Sequence, residues 1–400
     1  MPQLVGLGEQ YGPTEEEKAN ALPDLRSIHT YGQGSVKVGK GAFGEPMVDP
    51  NSPYPIGDTK PAGSNYTRTL VIPALKTEKT AWIQEELGDL LSAGLLTTAI
   101  YTVNDRHAPL HPIKNKGHEV MVYLSYIIDA YDRLADISIF MHAHRTAAHN
   151  NELLDNDAAL MIRHLRPERV VREGYMNLRC HWDTRCPEWL RPGTVTPNPG
   201  KQEEALIADA WTQLFPLDAV PSVLAQPCCA QFAVSRERIL ATPKMRYITM
   251  RDWVIRTELS DYLSGRVFEY LWQYVFTGTP VHCPSMLACY CDGYGLCFDG
   301  MESFNQWFEL RDEHAELEVV LRAWRVKAEK IEMLKAESRE GQVGEEALLE
   351  LPEVGGDERL ERRIAEVWGE MVEGKERAFE RGREPGVRAH AVEAWAGAAS

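Results

Sequence analysis

The feature that most constrains this chain is an alternation of short apolar runs with helical patterns between Thr69 and Met141. Thr69–Ala74 reads as a strand. Ala81–Leu91, with Thr80 as its expected cap, repeats Ile83, Leu87, Leu90 and Leu91 on one helix face. Thr97–Val103 reads as a second strand. The glycine turn Asn115-Lys116-Gly117 then opens a helix whose Val120, Leu124, Ile127, Ile128 and Tyr131 share a face. Ile137–Met141 is a third, β-rich apolar run. An order β-α-β-α-β implies parallel strands joined by crossover helices, because parallel neighbours cannot be linked by tight turns.

Such a sheet delivers the ends of all three strands to one edge, where ligands collect in open α/β folds. That edge receives Ala74, Asp105 and the polar cluster His142, His144, Arg145 and His149. Asp105 is a candidate contact for a ribose or base, although polar residues after strands are commonly turn formers. Two strand residues two apart face the same side, so His142 and His144 can converge on a metal, with His149 reachable across a turn. Asp155-Asn156-Asp157 could complete such a site, or Asp157 could cap the helix carrying Leu160, Met161 and Leu165.

Downstream, the residues 174–192 read as a long irregular loop over the sheet edge, and Gln202–Phe215 as an amphipathic helix. Pro227–Ser235 reads as a buried strand, followed by a helix from Arg236. A further helix, 261–272, carries Arg266 and Glu269 three residues apart. Glu269, between Phe268, Tyr270 and Trp272, is a candidate general base, since apolar surroundings raise a carboxyl pKa. The competing reading is an ordinary Arg266–Glu269 ion pair.

The three divisions of the chain rest on texture. Residues 1–67 are Gly- and Pro-rich and read as an irregular arm, residues 68–300 as an α/β domain of catalytic type, and residues 301–400 as charged, partly disordered helices. Those helices are separated by a Gly-rich break near Gly341–Gly344 and end in an Ala/Gly-rich stretch. A net charge of −16 excludes broad binding to nucleic acid or anionic membranes. No run of about 18 apolar residues exists, so no membrane span is expected. The N-terminus lacks the pattern of a secretory signal, and a cytoplasmic protein is expected. All eight cysteines fall between Cys180 and Cys297. They would form a disulfide framework in an exported protein; here buried free thiols are expected, with a Cys283-Cys289-Cys291-Cys297 metal site as a weaker alternative.

The block from Leu70 to Gly300 resembles a fungal domain family of unknown function. It does so through Asn115-x-Gly117-x-Glu119 with the following YLSYIIDAYDRLADISIFMH, then GYMNLRC, QPCCAQFAVSRERI, SGRVFEYLW and CYCDGYGLCF. More distantly it is similar to glycosyltransferases of the type-A fold, through Phe232–Glu237 and a following helix bearing Glu269. That resemblance implies a Rossmann-like, mostly parallel sheet with flanking helices and a nucleotide-diphosphate donor. Asp105, Asn115, Gly117, Glu119 and Arg236 would bind the donor, the glycine turn offering backbone N–H groups to phosphate. His142 and His144, with Asp157, would hold a divalent metal such as manganese or magnesium, or the donor phosphates, where relatives carry Asp-x-Asp. Either histidine could equally serve catalysis as general acid or base. Arg266 would offset leaving-group charge and Glu269 would deprotonate the acceptor.

The expected function is therefore a soluble transferase acting on a small-molecule donor and acceptor. One alternative on the same scaffold is a synthase of arginine-containing cyclodipeptides in secondary metabolism, drawing on aminoacyl-tRNA. Another is a binding scaffold without catalysis that uses the C-terminal helices for assembly.

Overall fold

A computed structural model describes residues 54–182, 185–186, 188–196, 198–337, 354–389 and 391. The arm expected over residues 1–67 therefore lies outside the described residues up to position 53, as do the expected Gly341–Gly344 break and the Ala/Gly-rich end. Residues 54–67 lie against the domain, where the Gly57 N–H donates to the Arg172 carbonyl at 2.9 Å and Tyr66 is buried.

Five strands form one mixed sheet in the order β2-β1-β3-β5-β4. Three of them match the alternation read in the sequence. They are β1 (Arg68–Ala74), β2 (Leu96–Thr102) and β3 (Ile137–Phe140), with β1 parallel to both others. The crossovers are α1 (Ala81–Ser92) and α2 (Glu119–Ala130). Thr80 makes no side-chain cap bond, contrary to expectation.

The second half departs from the expected parallel order. β4 (Tyr175–Asn177) arises inside the segment read as a loop. β5 (Phe232–Ser235) is shorter than the strand expected over Pro227–Ser235, and it runs antiparallel between β3 and β4. Residues 227–231 leave the sheet because Cys229 and Ala230 both have positive φ, 94° and 49°, which a ladder strand cannot accommodate.

Helix α2 is buried on almost every side, including Val120 to Ile128 without a break, whereas its sequence suggested a single apolar face. It is covered by α7 (Lys244–Arg256) and α8 (Asp261–Glu269) as well as by the sheet. An aromatic cluster of Tyr123, Phe140, Phe232, Trp272 and Phe276 fills the space between, with ring centroids 4.8–6.0 Å apart. The opposite face of the sheet is covered by α1, α3 (Ala158–His164), α4 (Pro167–Glu173) and α10 (Met286–Tyr294). The remaining short helices are α5 (Ile207–Leu214), α6 (Arg236–Leu240) and α9 (Trp272–Thr277). The helix expected over residues 261–272 is interrupted at Tyr270.

Two long C-terminal helices, α11 (Gly300–Glu337) and α12 (Gly356–Gly382), pair with each other antiparallel. Trp307 reaches the Met371 carbonyl, Arg363 pairs with Glu313, and Arg325 pairs with Glu361. The pair docks on the domain through Phe304, Trp307, Phe308, Val367, Met371 and Ala378, all in the same core cluster.

The cysteines are all bonded, in the pairs Cys180–Cys289, Cys186–Cys283, Cys228–Cys229 and Cys291–Cys297. This corrects the expectation of free thiols and removes the four-cysteine metal site. Two of these bonds staple the chain after β4 to the start of α10. No helix among the described residues is long and apolar enough to cross a membrane.

Candidate functional site

β3 carries the chain through the buried Phe140 and Met141 and releases it at the sheet edge as His142. The loop from there to Asn150 is a tight polar knot. The His142 N–H donates to Gln231 Oε1 at 3.0 Å, and Gln231 Nε2 donates to the His149 carbonyl and to Asn150 Oδ1. Gln231 lies there because the antiparallel register sets Phe232 beside Phe140. It thus clamps both ends of the 142–150 loop. The clamp brings His142 Nδ1 within 3.2 Å of His149 Nδ1, with the rings edge-on. One nitrogen of that contact carries the proton and the other accepts it. Burial, then the neighbouring His149, holds His142 neutral by lowering its pKa to about 3.

The facing wall comes from α8 and its surroundings. Arg185 Nη1 donates to Glu269 Oε1 at 2.5 Å, Arg266 donates to Glu269 Oε2, and the Cys229 N–H donates to Oε1 at 3.2 Å. Both guanidinium groups also donate to the Tyr270 hydroxyl, and Arg266 pairs with the fully buried Glu203. Burial alone would raise the Glu269 pKa, but the charges of Arg185 and Arg266 overcome it and bring the carboxyl down to about 2. The ion-pair reading of Glu269 is therefore the observed one. A general base whose affinity for protons is raised by apolar neighbours is not.

Between these walls lies a cavity of about 40 Å³, completed by His118, Glu119, Ala230 and Gly265. A volume of that size admits a few waters or one small polar group of a larger ligand. Gly265 is required for closure, since a Cβ there would meet His118 Cδ2 at 2.4 Å.

Of the residues anticipated for the site, His142, Glu119, Arg266 and Glu269 line this cavity. Gly117 precedes the lining residue His118 without lining the cavity itself, and its N–H donates to Asp261 Oδ1 at 2.5 Å, as does the His118 N–H at 3.3 Å. A carboxylate of the chain thus takes the place expected for a phosphate. Asn115 is exposed and outside the cavity wall. Asp105 stands at the end of the edge strand β2, two strands from β3 and so about 10 Å across the sheet. It is paired with Lys76 at 2.9 Å, which lowers its pKa, and accepts the His107 N–H.

Arg236 is at the wrong end. Its N–H donates to the Asp136 carbonyl ahead of β3, because antiparallel β5 finishes where β3 begins, and its exposed side chain pairs with Glu237. His144 is half-exposed and faces Glu78 at 3.5 Å, beyond the end of β1. Asp157 accepts N–H bonds from Ala159 and Leu160 as the cap of α3, and pairs with Arg145 at 2.8 Å. The three anticipated metal ligands, His142, His144 and Asp157, therefore point to three different partners. Among the described residues no three His, Cys, Asp or Glu side chains are grouped to hold a metal ion.

Sequence reasoning passed over Arg185, Glu203 and Gly265. Arg185 arrives from a stapled loop with no periodic pattern to mark it. The adjacent pair Cys228-Cys229 was the one visible signal for the turn that supplies Cys229 and Ala230.

No curated protein sequence matches this chain. The profile of a family described as a protein of unknown function, DUF3431, matches residues 70–292, which span every strand and the whole cavity wall except the first two residues of β1. That is more than half of the 400 residues, and the chain belongs to this family of unknown function.

Proposed function

We propose that the chain is a transferase whose reacting centre is the cavity at the end of β3. The observation that carries this reading is the meeting, at the carboxyl edge of a parallel strand, of a two-imidazole pair with a carboxylate fixed by two arginines. His149, which lines the cavity, can take the proton of an acceptor hydroxyl while His142 orients its ring through the Nδ1–Nδ1 contact, the role first assigned to Glu269. Arg185 and Arg266 place positive charge where a leaving group gains negative charge. Glycosyl transfer from a nucleotide diphosphate, on a type-A glycosyltransferase-like scaffold, is the working chemistry. The side chains do not fit a protein-held metal; manganese or magnesium fits this proposal as an ion carried on the donor phosphates. A fungal, secondary-metabolic setting belongs to the same proposal. Four disulfides support maturation in an oxidising compartment in place of the cytoplasmic location expected from the sequence.

Thermal shifts of the purified protein with UDP, GDP and ADP, each with and without manganese, test this. A ligand of the native state raises the melting temperature by an amount set by the logarithm of its concentration over its dissociation constant. A shift lost in His142→Gln and retained in His144→Ala supports the reading. No shift with any nucleotide sinks it.

A second reading is favoured by the loop between β2 and α2. Residues 103–118 carry Arg106, Lys114 and Lys116 against a single acid, Asp105, in a chain of net charge −16, and they run into the cavity at His118. A local basic strip of this kind fits the end of an aminoacyl-tRNA, as a cyclodipeptide synthase requires. Salt-dependent tRNA binding abolished by Arg106→Glu with Lys114→Glu would move the assignment there.

A further inference from the structure

We infer that the Cys228–Cys229 bond is a thiol–disulfide exchange site, open to small-molecule thiols, that sets the geometry of the adjoining cavity. Three observations converge on it. The first is access: Cys228 is partly exposed, whereas Cys180, Cys289, Cys291 and Cys297 are buried. The Cys186–Cys283 bond also has a partly exposed end, but its departing sulfur would be Cys283, which is fully buried in an apolar cluster. Apolar burial raises a thiol pKa and so makes it a poor leaving group.

The second is charge. Arg179 Nη1 lies 3.4 Å from Cys228 Sγ and 3.8 Å from Cys229 Sγ. A guanidinium in that position stabilises whichever sulfur departs as thiolate. The third is linkage to the cavity. Cys229 lines it and donates its N–H to Glu269, and two residues on, Gln231 holds His142 and His149. Between them Cys229 and Ala230 hold positive φ, a backbone state that non-glycine residues keep only when their surroundings impose it. The bond between the two sulfurs is one such constraint, and opening it frees the turn that anchors both walls.

The chemistry closes without another reactant. An external thiolate attacks Cys228 Sγ, the bond to Cys229 Sγ breaks, and Cys229 leaves as a thiolate beside Arg179. A second external thiolate attacks the outer sulfur of the mixed disulfide and releases Cys228. Two external thiols are oxidised to one disulfide, Cys228 and Cys229 gain the two electrons, and the two protons pass to their thiolates. The effect on turnover rests on the reading of this cavity as the reacting centre; the exchange itself does not.

The test uses the intact chain in graded glutathione, alkylated with iodoacetamide and mapped by peptide mass. Cys228 and Cys229 should be alkylated together, about tenfold faster than any other pair. The imidazole resonances of His142 and His149 should move over the same glutathione range. The Cys228→Ser/Cys229→Ser double variant should show the moved resonances from the outset and ignore glutathione. Earlier or simultaneous opening of another pair, or unmoved imidazole resonances once Cys228–Cys229 is open, overturns the inference. If the double variant does not fold, the wild-type titration decides alone. Nucleotide-induced melting shifts are read separately, so loss of the transferase reading leaves this result standing.

Discussion

Glu269 sits between two guanidinium groups in a space nearly closed to water, and its worth to the fold lies in what those groups would face without it. Glu269→Gln keeps the shape and removes the charge. Arg185 would then be left with Tyr270 and a neutral amide, while Arg266 would retain Glu203. Removing one partner of a buried pair costs about 3–5 kcal/mol, because the remaining charge stays desolvated. Glu203 offsets part of that for Arg266, so the expected loss is at the lower end, about 3 kcal/mol in urea unfolding. A loss below about 1 kcal/mol would place the carboxylate in the class of solvent-screened pairs. It would also remove the electrostatic basis for its ionised state.

Among the elements, α3 decides between two readings of one aspartate. The same short sequence, Asp155-Asn156-Asp157 ahead of a helix, serves as a metal motif or as a cap, and no local pattern separates them. The structure shows a cap, with Asp157 in extended conformation and its carboxylate on two N–H groups. Asp157→Ala should cost about 1–2 kcal/mol, the cap plus the ion pair to Arg145. It should also leave any manganese- or nucleotide-induced melting shift unchanged. A shift abolished by this substitution at unchanged stability would restore Asp157 as a ligand.

The part of the fold legible in the sequence divides along the same line, between local pattern and contacts made at a distance. β1, β2, β3, α1 and α2 were legible because each repeats apolar residues with its own period, and α11 and α12 because charge and Trp or Leu spacing mark long helices. The insertion of β5 antiparallel between β3 and β4 was not, since four buried residues carry no sign of direction. That single step moved Arg236 away from the site and brought Gln231 to it. Disulfide partners were equally hidden, because eight cysteines allow about 105 complete pairings and spacing does not choose among them. The cavity was half legible: His142, Arg266 and Glu269 stood out by residue type. Arg185 and Gly265 matter only through contacts made across the fold.

At the scale of the whole molecule, acid acts on the fold through two effects of opposite sign. Lowering the pH towards the pI of about 5.3 removes net negative charge, which relieves self-repulsion. Against this, His142 and His181 are buried, and burial lowers their pKa to about 3 and about 4 from an ordinary 6.5. A group with a depressed folded pKa takes up protons more readily when unfolded. Its contribution is therefore complete above pH 6.5 and is lost as the pH falls towards 4 and 3. From pH 7 to pH 5 each histidine should cost up to about 2 kcal/mol, which exceeds what relief of diffuse surface repulsion returns. Glu269, lowered to about 2 from 4.5, holds its contribution through that range and loses it only below pH 4.5. The urea midpoint should accordingly fall from pH 7 to pH 5 and fall more steeply from pH 4.5 to pH 3, where the loss at Glu269 adds to the one still running at His142. His142→Gln with His181→Gln should shrink both steps without abolishing the first, which His282 shares because burial lowers its pKa to about 3, while Glu269→Gln should shrink only the second. A midpoint that rises towards the pI would show that net charge, and not the buried imidazoles, governs the acid response.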